Sequence, residues 1–167
     1  MFPCTRAPPF AGVIPEACGG VCTNIDGVNT IVMVCGSRGW ADARSVESRL
    51  VEVYNRVGDG MIVVHNDHGA VDRIAAAWCD RWRVTHVPFS ITEAEWAEHG
   101  RMAPQRRNLA MIEFLADQRD DLGAAVELLV FRLPDDSLSR EADRIKNLAT
   151  GQRITGTVVR ARERSAA

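Results

Sequence analysis

The chain has no apolar run approaching the roughly 20 residues that a membrane-spanning helix needs. It has no large excess of either charge. A net charge of −2 and a pI near 6.1 give no overall attraction to nucleic acid or to an anionic bilayer. The first twenty residues, with proline at 3, 8, 9 and 15, lack the basic stretch and apolar stretch of a secretory signal. Cysteine is not arranged for zinc. Of the five, Cys18 and Cys22 are close, but no second tight pair and no histidine stand near them. Reduced thiols in a cytoplasmic protein are therefore expected, with no metal. Cys35 and Cys79 fall in apolar segments and are expected to be small buried residues. Glycine is absent from the stretch LeuProAspAspSerLeuSer, residues 133–139.

What is present fits one soluble globular domain: 167 residues, 46% hydrophobic and 25% charged. Residues 1–28 are rich in Pro, Gly and Cys without a sustained period, and read as an irregular extension. The domain pattern occupies 29–160, and 161–167 read as a solvated tail. Ile31–Val34, Met61–Val64 and Leu128–Phe131 are short continuous apolar runs, as expected of strands buried on both faces. Val84–Val87 and Ile154–Val159 complete about five strands. Between them lie helical patterns. Asp42 can cap a helix with Val46, Leu50, Val53, Tyr54 and Val57 at spacings of three and four. A second helix carries Val71, Ile74, Ala75 and Trp78 on one face. Thr92-Glu93-Ala94-Glu95 has the form of a capping box. A helix from about Pro104 to Asp117 is expected to bury Leu109, Ile112 and Leu115. A last one, with Ala142, Ile145 and Leu148 inward, stops near Gly151.

Strands alternating with helices predict an α/β fold: a mostly parallel sheet with helices on both faces. In such sheets ligands lie beyond the C-terminal strand ends, where strand order switches. The loops of interest are Gly36–Trp40, His65–Asp72 and Arg132–Ser137. In the first, Gly36 allows close backbone approach, Ser37 offers a hydroxyl and Arg38 a fork for phosphate oxygens. A plain strand-to-helix turn would use the same residues. In the second, His65, His68 and Asp72 invite a metal reading, but His65 still belongs to the strand end, so the three need not converge. Asp72 could complement a helix dipole or accept hydrogen bonds from ligand hydroxyls. Arg101, Arg106 and Arg107 surround a helix start, where cations repel the dipole unless an anion lies between. Either one of them contacts phosphate, or Arg101 and Arg106 are solvated and only Arg107 turns inward.

The order of these segments resembles a known family. It is carried by Gly36-Ser37-Arg38; by His65, Asp72, Arg73 and Ala75; by Trp96, His99 and Gly100; and by Arg107, Asn108 and Met111. Over roughly residues 30–135 the chain is similar to the YspA-like branch of the SLOG superfamily, Rossmann-like domains related to DprA and to the LOG phosphoribohydrolases. The resemblance implies a Rossmann-like sheet that binds nucleotides or nucleotide-derived molecules, in a branch common in bacteria and their phages. It departs at the second loop, where Asn66 and Ala70 take glycine positions. It departs again where LOG enzymes carry a glycine-rich loop and a catalytic glutamate and this chain carries Asp135 and Asp136.

The expected ligand-binding set is Gly36, Ser37, Arg38, Trp40, His65, His68, Gly69, Asp72, Arg73, Gly100, Arg107 and Asn108, with Trp40 stacking on a base. Three functions compete. A binding module for a nucleotide-like small molecule, needing no cofactor, comes first. An N-glycosidic hydrolase using Asp72, Asp135 or Asp136 as its carboxylate is the alternative. A degenerate scaffold or partner-binding protein is the third. A homodimer is suggested by analogy alone. Nucleic acid and membrane are not expected partners.

Overall fold

The computed structural model describes residues 30–67, 69–134 and 136–161. Strand β1 is Thr30–Gly36, followed by α1 (Ala43–Val57), β2 (Met61–Asn66), α2 (Ala70–Trp82) and β3 (Thr85–Phe89). The short α3 (Glu93–His99) leads through a 3-10 turn into α4 (Ala103–Leu122), β4 (Ala125–Arg132), α5 (Asp136–Gly151) and β5 (Gly156–Arg160). The five strands pair in parallel in the order β3-β2-β1-β4-β5. This is an α/β, Rossmann-like fold. The chain lays β1, β2 and β3 outward to one side, then crosses back to place β4 and β5 on the other. The strand order therefore switches between β1 and β4.

The apolar runs behave as their continuity predicts. β1, between two neighbours, is buried along nearly its whole length, and Val32, Met33 and Val34 are wholly enclosed. Alternate residues feed two cores. Val32, Val34 and Val63 meet Val46, Leu50, Ala75 and Trp78 beneath α1 and α2. Met33, Cys35 and Val64 meet Met111, Ile112, Leu115, Ala142 and Ile145 beneath α4 and α5. Cys35 and Cys79 are both buried and unbridged. Pro88, which has no N–H to donate, sits on the edge strand β3.

The helix starts form as their residues dictate. Asp42 accepts from the Ser45 N–H at 3.1 Å. Thr92 Oγ1 accepts from the Glu95 N–H at 3.2 Å, and Glu95 Oε2 accepts from the Thr92 N–H at 2.7 Å, closing the capping box. Helix α4 departs from its expected phase. Leu109 is 42% exposed, while Arg107, Asn108, Met111, Ile112, Leu115 and Ala116 are buried. The inward rows are 107-111-115 and 108-112-116, four apart, and Leu109 lies one position past them. Two polar residues at the head of these rows hid the phase. Among the described residues, no helix is long and apolar enough to cross a membrane.

Candidate functional site

A cleft of about 340 Å³ opens at the C-terminal ends of β1 and β2, lined by Gly36, Arg38, Asn66, Gly69, Ala70, Asp72, Arg73 and Glu141. Its geometry starts at Gly36. A Cβ there would lie 2.3 Å from Val71 Cγ2 and 3.0 Å from both the Cβ and the carbonyl oxygen of Phe131. Only glycine lets the first turn of α2 pack against the end of β1, which brings that helix N-terminus to the cleft. The next residue ties the loop across the switch point. The Ser37 N–H donates to the Phe131 carbonyl at 2.8 Å, and Ser37 Oγ accepts from the Leu133 N–H at 3.0 Å. Arg38 then turns outward, exposed, at the cleft rim.

The loop after β2 is held by Asp72. Its Oδ1 accepts from the Asn66 N–H at 3.0 Å and its Oδ2 from the Gly69 N–H at 2.8 Å. This buried carboxylate fixes both ends of the loop. Burial raises its pKa to about 7, against the opposing pulls of the Gly69 N–H, the Arg107 charge and the Asn66 N–H; Glu141 raises it further. Gly69 precedes α2 and brings no side-chain acceptor to the first-turn N–H groups, as Ser or Asp would.

Behind the cleft lies an ion pair. Arg107 Nη2 donates to Glu141 Oε1 at 2.7 Å and to Asn108 Oδ1 at 3.0 Å, and Asn108 Nδ2 donates to the same Glu141 oxygen at 3.4 Å. Burial lowers the Arg107 pKa, against the attraction of Glu141 and Asp72, yet a guanidinium stays charged. Asn66, 5% exposed, is the unusual member of the wall: its side-chain Oδ1 is buried with no hydrogen-bond partner.

The expected site residues therefore separate. Gly36, Arg38, Gly69, Asp72 and Arg73 come together on the cleft. Ser37, His65, Arg107 and Asn108 are buried in the structure that supports it. Arg101 and Arg106 are exposed and only Arg107 turns inward, so the guanidinium expected on phosphate is engaged by Glu141 and Asn108 instead. Trp40 is a correction. It is 3% exposed, packs edge-on against Phe131 at 5.3 Å and donates its indole N–H to the Asp42 carbonyl. Its apolar ring is worth more in the core beneath α1 than in solvent, and it offers no open face to a base. Gly100 begins the 3-10 turn before α4 and is not among the residues lining the cleft.

His65 points beneath α2, where Nδ1 meets the Asn66 carbonyl and Nε2 meets His86 Nδ1 at 2.9 Å. Burial lowers its pKa. His68 and Asp135 lie outside the described residues, and Asp136 is placed as the first residue of α5. Among the described residues no three His, Cys, Asp or Glu side chains converge as a metal site would require.

Two cleft residues escaped the sequence pattern, Glu141 and the Asn66 side chain. Asn66 counts there only as a displaced glycine. Glu141 precedes the inward Ala142 of α5, and a buried Arg107 calls for an acid. The two are 34 positions apart, so nothing local joins them.

A second groove of similar size runs between α1 and α2, lined by Ala43, Glu47, Ala70, Arg73, Ile74, Ala77 and Arg81, so that Arg73 borders both. It is shallower and lacks the convergent polar groups of the cleft, which we take as the site.

Comparison with known proteins agrees with this architecture. Residues 30–99 match the model of a family described as YspA, cpYpsA-related SLOG. The chain is 33% identical over 90 residues to the "Gene 61 protein" of Mycobacterium phage D29, covering 52% of this chain and 70% of that protein.

Proposed function

The chain belongs to the YspA, cpYpsA-related SLOG family, and from that premise we propose that its cleft binds the phosphate of a nucleotide or nucleotide-derived ligand, as a sensor or sequestering module. One observation carries the reading: the N-terminus of α2, whose N-cap residue Gly69 has no side-chain acceptor, and the Arg38 and Arg73 side chains share a single cleft beside the switch in strand order. A helix N-terminus presents N–H donors and a partial positive charge, and guanidinium groups match phosphate oxygens. The acids nearby are compatible with an anion. Glu141 is paired with Arg107, and Asp72 is partly protonated at neutral pH.

Isothermal titration with a panel of nucleotides and ADP-ribose derivatives tests this. At least one ligand binds the wild-type protein, and Arg38→Ala weakens it about tenfold or more, as expected for loss of a charged hydrogen bond. Absence of heat throughout, with no thermal stabilisation by any compound, sinks the proposal.

Hydrolysis of an N-glycosidic bond is a second reading, favoured by one feature: a buried carboxyl on the cleft with a pKa of about 7 suits proton transfer near neutrality. Product analysis with nucleoside monophosphates decides it. If no base is released over a long incubation, that reading is excluded for those substrates.

A further inference from the structure

A chain of polar side chains reaches the end of β2 from beneath α2. His65, wholly buried on β2, meets the Asn66 carbonyl through Nδ1 and His86 Nδ1 through Nε2, the latter at 2.9 Å. His86, on the edge strand β3, turns its own Nε2 to Asp80 Oδ1 on α2 at 3.3 Å. Asn66 is thus held from two sides, its N–H by Asp72 at 3.0 Å and its carbonyl by His65.

The partners fix where the protons sit. A carbonyl only accepts, so His65 Nδ1 carries a hydrogen. The neutral ring then has a lone pair at Nε2 and accepts there from the Nδ1–H of His86. Of the four ring nitrogens, His86 Nε2 alone can take an added proton without breaking a bond, and it faces a carboxylate. A second added proton has only His65 Nε2 to go to. Two N–H groups and two positive charges would then meet across 2.9 Å beside a buried ring. The charged groups facing His65 are Asp80 on α2, Asp67 just after β2 and His86 itself, while β1 sets the apolar Val34 alongside. Burial holds His65 below the ordinary histidine value, against the pull of the Asn66 carbonyl, and the His86 charge lowers it further.

We propose that His65 and His86 form an acid-opened latch on the end of β2, holding the Asn66 carbonyl with at most one added proton and releasing it with two. Asn66 lines the cleft, so the latch makes the shape of the cleft pH-dependent. That consequence rests on the binding reading above; the latch itself does not. The closed latch contributes stability above the ordinary histidine value of 6.5, and this is lost as pH falls through the lowered folded value. Asp72, with its raised pKa, acts in the opposite direction, so melting temperature mixes the two.

The test is NMR of the full chain without ligand, following the ring nitrogens and the hydrogen exchange of the Asn66 amide from about pH 8 to about pH 4. Neutral His65 carries its proton at Nδ1. The pair titrates in two steps more than about one pH unit apart, and protection of the Asn66 amide falls with the second step only. In His86→Gln the carboxamide donates to neutral His65 and, turned over, accepts from the charged ring, so His65 titrates in one step and the amide stays protected. Asp80→Asn, an exposed change, is the second variant should that one fail to fold: it moves the first step to lower pH and the second by less. Neutral His65 protonated at Nε2, both rings titrating in one common step, or a first step unmoved by Asp80→Asn overturns the proposal. So does an acid loss of Asn66 protection that persists in His86→Gln, which would assign that loss to Asp72.

Discussion

The rim and the wall of the cleft lie side by side but are built by opposite rules. Arg38 and Arg73 on the rim are exposed. In the wall and behind it, Asp72 is buried and held by the N–H groups of Asn66 and Gly69, and Arg107 and Asn108 are buried and answer chiefly to one another and to Glu141. Substitutions in the wall should therefore change stability and its pH dependence. Substitutions on the rim should change binding and little else.

The largest effect is expected from Glu141→Ala. It strands the Arg107 guanidinium in a buried site, and loss of one partner of such a pair costs about 3–5 kcal/mol. Asn108 still accepts from Arg107, so the lower end is expected in urea denaturation. A cost below about 1 kcal/mol would show that the pair is effectively solvated, erasing the distinction between wall and rim.

Next comes Gly36→Ala, whose Cβ would collide with Val71 and Phe131. Overpacking of this kind costs about 1–3 kcal/mol. The double variant with Val71→Ala should recover part of the loss, because the shortest contact is to Val71 Cγ2, while the contacts to Phe131 remain. No recovery would mean that the glycine is needed for another reason.

Asp72 sharpens the comparison through pH. Its folded pKa is raised to about 7 from an ordinary carboxylate value near 3.8, so the folded protein binds more protons than the unfolded chain between those values. Its contribution is fully present below about pH 4, declines as pH rises and is lost through about pH 7. The slope approaches 1.4 kcal/mol per pH unit at most. Asp72→Asn should flatten this decline in melting temperature between pH 4 and 7. A variant profile parallel to the wild type would show that another group causes it.

The smallest expected effect on stability is that of Arg38→Ala, within about 0.5 kcal/mol of wild type by thermal melting. A large destabilisation would move Arg38 from the rim into the supporting structure.

Much of the frame was legible in sequence because it depends on local rules. Continuous apolar runs gave the central strands β1, β2 and β4, and Asp42 and Thr92 marked helix starts that form as drawn. Gly36-Ser37-Arg38 pointed to the right loop but not to the division of labour within it. Gly36 serves helix packing, Ser37 serves β4, and Arg38 alone of the three extends a side chain to the cleft. The rest depended on residues distant in sequence. Arg107 looked like a phosphate ligand because its acid lies on α5, and Trp40 looked available because Phe131 lies on β4. Leu109 looked buried because the helix face was judged from apolar residues, whereas the buried face begins with Arg107 and Asn108.

The most direct test of the central claim is a crystal structure of the protein with a bound nucleotide. A phosphate oxygen is expected within about 3 Å of the Arg38 guanidinium and of an N–H in the first turn of α2. A phosphate seated elsewhere, such as beside Arg101 and Arg106 at the start of α4, would contradict it.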